Sequence, residues 1–150
     1  MPEVKKILIP VVFSEFDTHA ADYARQFAAC SGAEVDLLHV TKSLDLFMGH
    51  EAAIQAVHTE FMGYEKEVAE KLMTAFAEKS LPGVKVGNKV VVRGNAADEI
   101  LKYARENSID MIVMPTHCRK GLNTIFVGSV TDRVVKNAPC PVLAVHPPSC

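Results

Sequence analysis

Along the chain, short solid runs of apolar residues alternate with stretches in which apolar residues recur every three or four positions. The first solid run, Lys6 to Val12, is β-branched and apolar almost throughout and reads as a strand buried on both faces. Ser14 and Asp17 have the spacing of a capping box, and Ala21, Ala24, Phe27 and Ala28 follow at helical intervals until Ser31-Gly32. Glu34 to Val40 is a second strand. A less regular stretch, Thr41 to His50, carries Leu44, Leu46, Phe47 and Met48 and reads as a flap or part of an interface. A long helix is predicted from about Glu51 to Ser80. Its apolar stripe, Ile54, Val57, Phe61, Tyr64, Val68, Leu72 and Phe76, reads as a core-facing side. Pro82-Gly83 breaks that helix.

Val84 to Val92 alternates only in part, as an edge strand would. Asn95 and Asp98 cap a helix that runs through Ile100, Leu101 and Tyr103 to Asn107. Met111 to Met114 is another doubly buried strand, ended by Pro115 and followed by a polar loop to Gly128-Ser129. A last helix spans about Ser129 to Lys136, Pro139-Cys140-Pro141 turns the chain, and Val142 to Val145 closes the series before Pro147-Pro148. Strands and helices thus alternate five to four, which predicts a single α/β domain. It would be one open, doubly wound parallel sheet of the Rossmann-like kind, with helices on both faces. The final strand would leave an apolar edge, and pairing of two copies along it would cover that edge.

Composition narrows the function. The 150 residues carry a net charge of −2 with Lys and Arg dispersed, so no basic stripe suits a nucleic acid. No apolar run approaches the ~20 residues needed to span a bilayer. The run from Ile7 to Phe13 is short for a signal segment and lacks a small-residue cleavage site, so a cytoplasmic protein is expected. Cys30, Cys118, Cys140 and Cys150 show no C-x-x-C spacing and read as reduced thiols. His117 beside Cys118 is too little for a metal site, and no metal is expected. Ser14, Ser129, His39 and His117 fall near strand ends without a carboxylate placed to orient a histidine, so no catalytic constellation emerges. Asp132, three residues after Ser129, reads first as part of a helix cap.

In sheets of this kind ligands sit beyond the carboxyl ends of the strands, where a loop feeds a helix. Gly128 would let a ligand approach the backbone, and Ser129 offers a hydroxyl and an amide at the positive end of a helix. Arg119 and Lys120, in the preceding loop, could face an anion but read first as a solvated pair.

The segments K-K-I-L-I-P leading to F-S, L-L-H-V, R-G-N-A-A-D-E-I-L-K-Y-A and D-M-I-V-M-P-T-H-C-R-K-G-L…G-S-V-T-D-R-V-V-K-N-A-P-C-P-V-L-A-V together resemble the universal stress protein family. The resemblance covers essentially the whole chain. It implies a five-stranded parallel sheet of adenine-nucleotide-hydrolase-like type in the order 3-2-1-4-5, and a homodimer formed through the last strand. One branch of the family binds ATP through G-x-x-G, nine residues, then G-S or G-T, with an aspartate after the first strand; the other lacks the motif.

The resemblance places the candidate nucleotide site at Pro10, Val11, Val12, Val40, Met114, Thr116, His117, Gly128, Ser129 and Val130. Here Gly128-Ser129 keeps the far end of the motif. Pro115 and Cys118 stand at the two earlier glycines, and Val12 at the aspartate. Proline offers no N–H, cysteine adds a side chain where bare backbone is wanted, and valine accepts no hydrogen bond. At roughly 1.5–3 kcal/mol per charged hydrogen bond, three losses amount to about 4–9 kcal/mol if they add. Tight binding of ATP is therefore not expected. The expectation is a non-catalytic, dimeric stress-response or regulatory domain with no required cofactor. In that reading the crevice is degenerate or serves another small-molecule ligand; the alternatives are a switch binding ATP or AMP with Mg²⁺, or a nucleotide or phosphoester hydrolase.

Overall fold

The computed structural model describes residues 2–42, 52–118, 125–126 and 128–148; for 52–58, 117–118 and 125–126 it describes the backbone alone. Residues 43–50 of the irregular stretch lie outside the described residues, as do Arg119, Lys120 and the side chains of Ile54, Val57, His117 and Cys118.

The chain runs β1 (Lys6–Pro10), α1 (Phe16–Ser31), β2 (Glu34–Thr41), α2 (Ala52–Ser80), β3 (Val86–Arg93), α3 (Ala96–Glu106), β4 (Met111–Pro115), β5 (His117–Cys118), β6 (Ile125–Phe126), α4 (Ser129–Asn137) and β7 (Val142–Val145). Five strands form one parallel sheet in the order β3-β2-β1-β4-β7, which is 3-2-1-4-5 with β7 as the fifth. The solid apolar runs are explained by burial on both sides. Ile7, Ile9, Val35 and Leu37 pack under Ala20, Ala21 and Ala24 of α1 and Met73 and Ala77 of α2. Leu8, Leu38, Ile112 and Met114 pack under Ile100 and Leu101 of α3 and Val134 of α4. Among the described residues no helix is long and apolar enough to cross a membrane.

Helix ends follow local chemistry. Gly32 takes the left-handed cap of α1 at φ 73°, its N–H donating to the Ala28 carbonyl. Asn95 accepts from the Asp98 N–H at the start of α3. The capping box at Ser14 forms by half: the buried Asp17 carboxylate accepts from the Ser14 N–H at 3.2 Å, while Ser14 Oγ is buried without a partner among the described residues. The cap expected from Ser129 and Asp132 is not built. Gly128 occupies the N-cap of α4 without a side-chain bond, Ser129 is the first helical residue, and Asp132 instead pairs with Lys136 one turn on, at 2.8 Å.

The long helix corrects the reading of its stripe. Phe61, Tyr64, Val68 and Leu72 are 53%, 68%, 37% and 46% exposed, whereas Ala69, Met73 and Ala77 are buried. Val68 precedes Ala69 and Leu72 precedes Met73, so the buried side is rotated by one residue, about 100°, from the bulky one. The alanines at 69 and 77 let the helix lie close to the sheet beside the buried Met73, and the bulky residues of the stripe face away from it.

One buried polar group lies on the α3 face. The Asp36 carboxylate of β2 is fully buried and accepts from the Tyr103 hydroxyl at 2.9 Å and the Asn88 N–H at 2.8 Å. The ladder between β2 and β3 shifts register beside it, between Val35 and Leu37.

Candidate ligand crevice at the switch point

The connections leave the sheet in opposite directions between β1 and β4, so these neighbouring strands open a crevice at their carboxyl ends. A cavity of about 110 Å³ lies there, between Pro10, Val11 and Val12 after β1, Leu38 and Val40 of β2, Met114 and Pro115 of β4, Ala96 and Ile100 of α3, and Val130 of α4. Every one of these side chains is apolar. The first turns of α3 and α4 both reach the crevice, through Ala96 and Val130, so two helix N-termini contribute partial positive charge.

The β1–α1 loop has a defined shape. Val11 N–H donates to the Leu38 carbonyl at 2.9 Å, ending the strand's pairing. Val12 N–H donates to Asp17 Oδ2 at 3.0 Å. Phe13 adopts φ 60°, a left-handed conformation uncommon for a non-glycine residue. Its ring lies 4.5 Å from that of His39, whose Nδ1–H donates to the Val11 carbonyl at 2.7 Å. This turn presents the Val12 side chain outward, 57% exposed, on the crevice wall. β1 therefore ends at Pro10 and not at Val12.

Six of the ten sequence-derived positions line the crevice together: Pro10, Val11, Val12, Val40, Met114 and Val130. Thr116 does not. It is fully buried, and its hydroxyl lies 3.2 Å from the Val145 carbonyl and 2.8 Å from His146 Nδ1, on the side of β7. The backbone of His117 pairs with Phe126 and that of Cys118 with Ile125 in a small antiparallel ribbon, where a polar loop had been expected. Gly128 and the exposed Ser129 stand at the start of α4, beside Val130. Gly128 has φ −58°, a conformation open to any residue, so the backbone there does not itself require glycine. Leu38, Ala96, Pro115 and Ile100 complete the wall. The cap at Asn95 fixes where α3 starts at the end of β3, and from it Ala96 and the next turn could have been assigned to the crevice.

The Cys140 thiol is pushed up by burial and by the Asp110 charge, the reverse of activation. Among the described residues no three His, Cys, Asp or Glu side chains gather to hold a metal ion.

Comparison with known proteins agrees with this layout. The family model of the universal stress proteins matches residues 3–146. The universal stress protein MJ0531 of Methanocaldococcus jannaschii is 37% identical over 145 residues, spanning 96% of this chain and 83% of that protein. MJ0577 of the same organism is 34% identical over 94% of each chain. Its solved structure superposes with a TM-score of 0.80 at 31% identity, covering 99% of this chain and 100% of that one. A universal stress protein of Archaeoglobus fulgidus, solved in complex with dAMP, shares the fold at a TM-score of 0.61 and 19% identity, over 95% of this chain and 98% of that one. With the strand order, the switch-point crevice and a match over nearly the whole length in agreement, the chain belongs to the universal stress protein family.

Proposed function

We propose that this protein is a non-catalytic regulatory domain of the universal stress type. Its crevice accepts a flat, uncharged group and does not hold a nucleoside triphosphate tightly. The observation that carries this reading is the wall itself, ten apolar side chains; it is supported by Val12 standing where the resemblance implies a carboxylate in the nucleotide-binding branch. In the same reading the protein acts in the cytoplasm as a homodimer paired along the outer edge of β7, the apolar edge strand. The second reading, a nucleotide-binding switch, is favoured by the two helix N-termini at the crevice and by the dAMP complex of the Archaeoglobus relative.

Calorimetric titration with ATP, AMP and dAMP, with and without Mg²⁺, separates the two. The expected result is no dissociation constant tighter than about 100 µM, or roughly 5.5 kcal/mol of binding. Tighter binding would establish the switch instead. The triple variant Val12→Asp, Pro115→Gly, Cys118→Gly is expected to strengthen ATP binding by at least about tenfold, and a folded variant with no gain would mean that these positions are not the defect.

A further inference from the structure

The bulky side of α2 has no cover among the described residues. Phe61, Tyr64, Val68 and Leu72 form an exposed apolar ridge three turns long. Monomeric proteins seldom leave such a continuous ridge in water, so its pattern is informative about what covers it.

The ridge matches its own reverse. If a second α2 is laid against it antiparallel, Phe61 falls opposite Leu72 and Tyr64 opposite Val68, both pairs centred within a residue of position 66. The charges obey the same symmetry. Glu60 and Lys71 are eleven residues apart, about three turns, and so occupy one flank of the ridge. A two-fold axis perpendicular to both helices brings like flanks together, so Glu60 of each copy meets Lys71 of the other. Among the described residues Glu60 is exposed and has no ion pair, and Lys71, 75% exposed at its side chain, pairs with Glu67 on its own helix. On the opposite flank Glu65 would approach its own symmetry mate, but Arg93 already neutralises it with a 2.7 Å ion pair. A lipid surface is a poor alternative occupant, because Glu60, Glu67 and Glu78 make that flank of the helix mostly acidic, unlike the basic margin of a membrane-binding helix.

We infer that a second copy of this chain covers the ridge, with the two α2 helices antiparallel about a two-fold axis near residue 66. This contact is separate from the β7 edge and does not rest on it: with α2 alone the protein is a dimer, and with both it is a dimer of dimers where the two two-fold axes close at right angles and an open chain where they do not.

Sedimentation equilibrium of the full chain over a range of concentrations tests this, with circular dichroism to verify the fold of each variant. Tyr64→Glu, at an exposed site, is expected to lower the limiting mass to that of the β7-paired dimer, or to that of the monomer where β7 does not pair. Glu60→Lys and Lys71→Glu should each raise the dissociation constant about tenfold, since two symmetry-related exposed pairs become repulsive. Combining the two reversals should return it to within about threefold of the parent, which a different partner or register would not do. A mass unchanged by Tyr64→Glu, or charge reversals whose combination does not restore association, would overturn the inference.

Discussion

Asp36 is the residue on which one face of the sheet most depends for polar balance. A carboxylate with no solvent exposure is tolerable only when its oxygens are occupied, and here Tyr103 and the Asn88 backbone each occupy one. The arrangement acts back on the phenol. Burial first, then the neighbouring carboxylate, outweigh a lowering contact from Asn88 and push Tyr103 up to about 12. Replacing Tyr103 by Phe leaves one buried oxygen without its donor and is expected to cost about 1.5–3 kcal/mol in chemical denaturation at neutral pH. The pH dependence has a definite sign. Because the folded pKa lies above the unfolded value near 10, this tyrosine's contribution is complete below about pH 10 and is lost as the pH rises through about 12. The stability gap between parent and Tyr103→Phe should therefore narrow across that window, and a constant gap would mean that Tyr103 does not titrate with folding.

At the scale of elements, the same carboxylate explains a glycine in a strand. A Cβ on Gly87 of β3 would collide with Asp36 Oδ1, an oxygen that its bond to Asn88 prevents from moving aside. Gly87→Ala is expected to destabilise by about 1–3 kcal/mol in denaturant titration. Combined with Tyr103→Phe it should cost less than the two separate losses together, because both act through Asp36. Such pairings across distant segments are not written in local pattern, and that marks the limit of what could be read beforehand. The strands, the left-handed Gly32 and the Asn95 cap were legible because each depends on neighbours in sequence. α2 was legible in period but not in phase: apolar bulk pointed to one side, while closeness to the sheet selected Ala69 and Ala77 on another. The end of β1 was likewise hidden, since Val12 continues the apolar run in sequence but is turned outward by Asp17 and the left-handed Phe13. The crevice was legible on its β1 and β4 sides, where motif positions could be counted, and not on its α3 side, which depends on how that helix crosses the sheet.

At the scale of the molecule, the backbone directions at β7 determine how a symmetric partner would engage. The carbonyls of Pro141 and Val145 accept from Ile112 and Thr116, so the odd-numbered residues of this strand face β4. Strand geometry then turns the N–H and C=O groups of Val142 and Ala144 toward the open edge. A dimer paired along that edge needs these groups, whereas the sheet within one chain does not. Ala144→Pro deletes an outward donor, and proline is tolerated at edge positions of this kind. By contrast, a charge at the buried Val145 would damage the core and confuse unfolding with dissociation. The expected outcome for Ala144→Pro is a folded chain with its thermal unfolding largely preserved and the edge-paired dimer lost in sedimentation velocity. If α2 also associates, the species remaining is the α2-paired dimer, and adding Tyr64→Glu should reduce it to monomer. If instead Ala144→Pro leaves the assembly intact while Tyr64→Glu alone yields monomer, α2 is the sole contact between copies and the β7 edge is open to solvent.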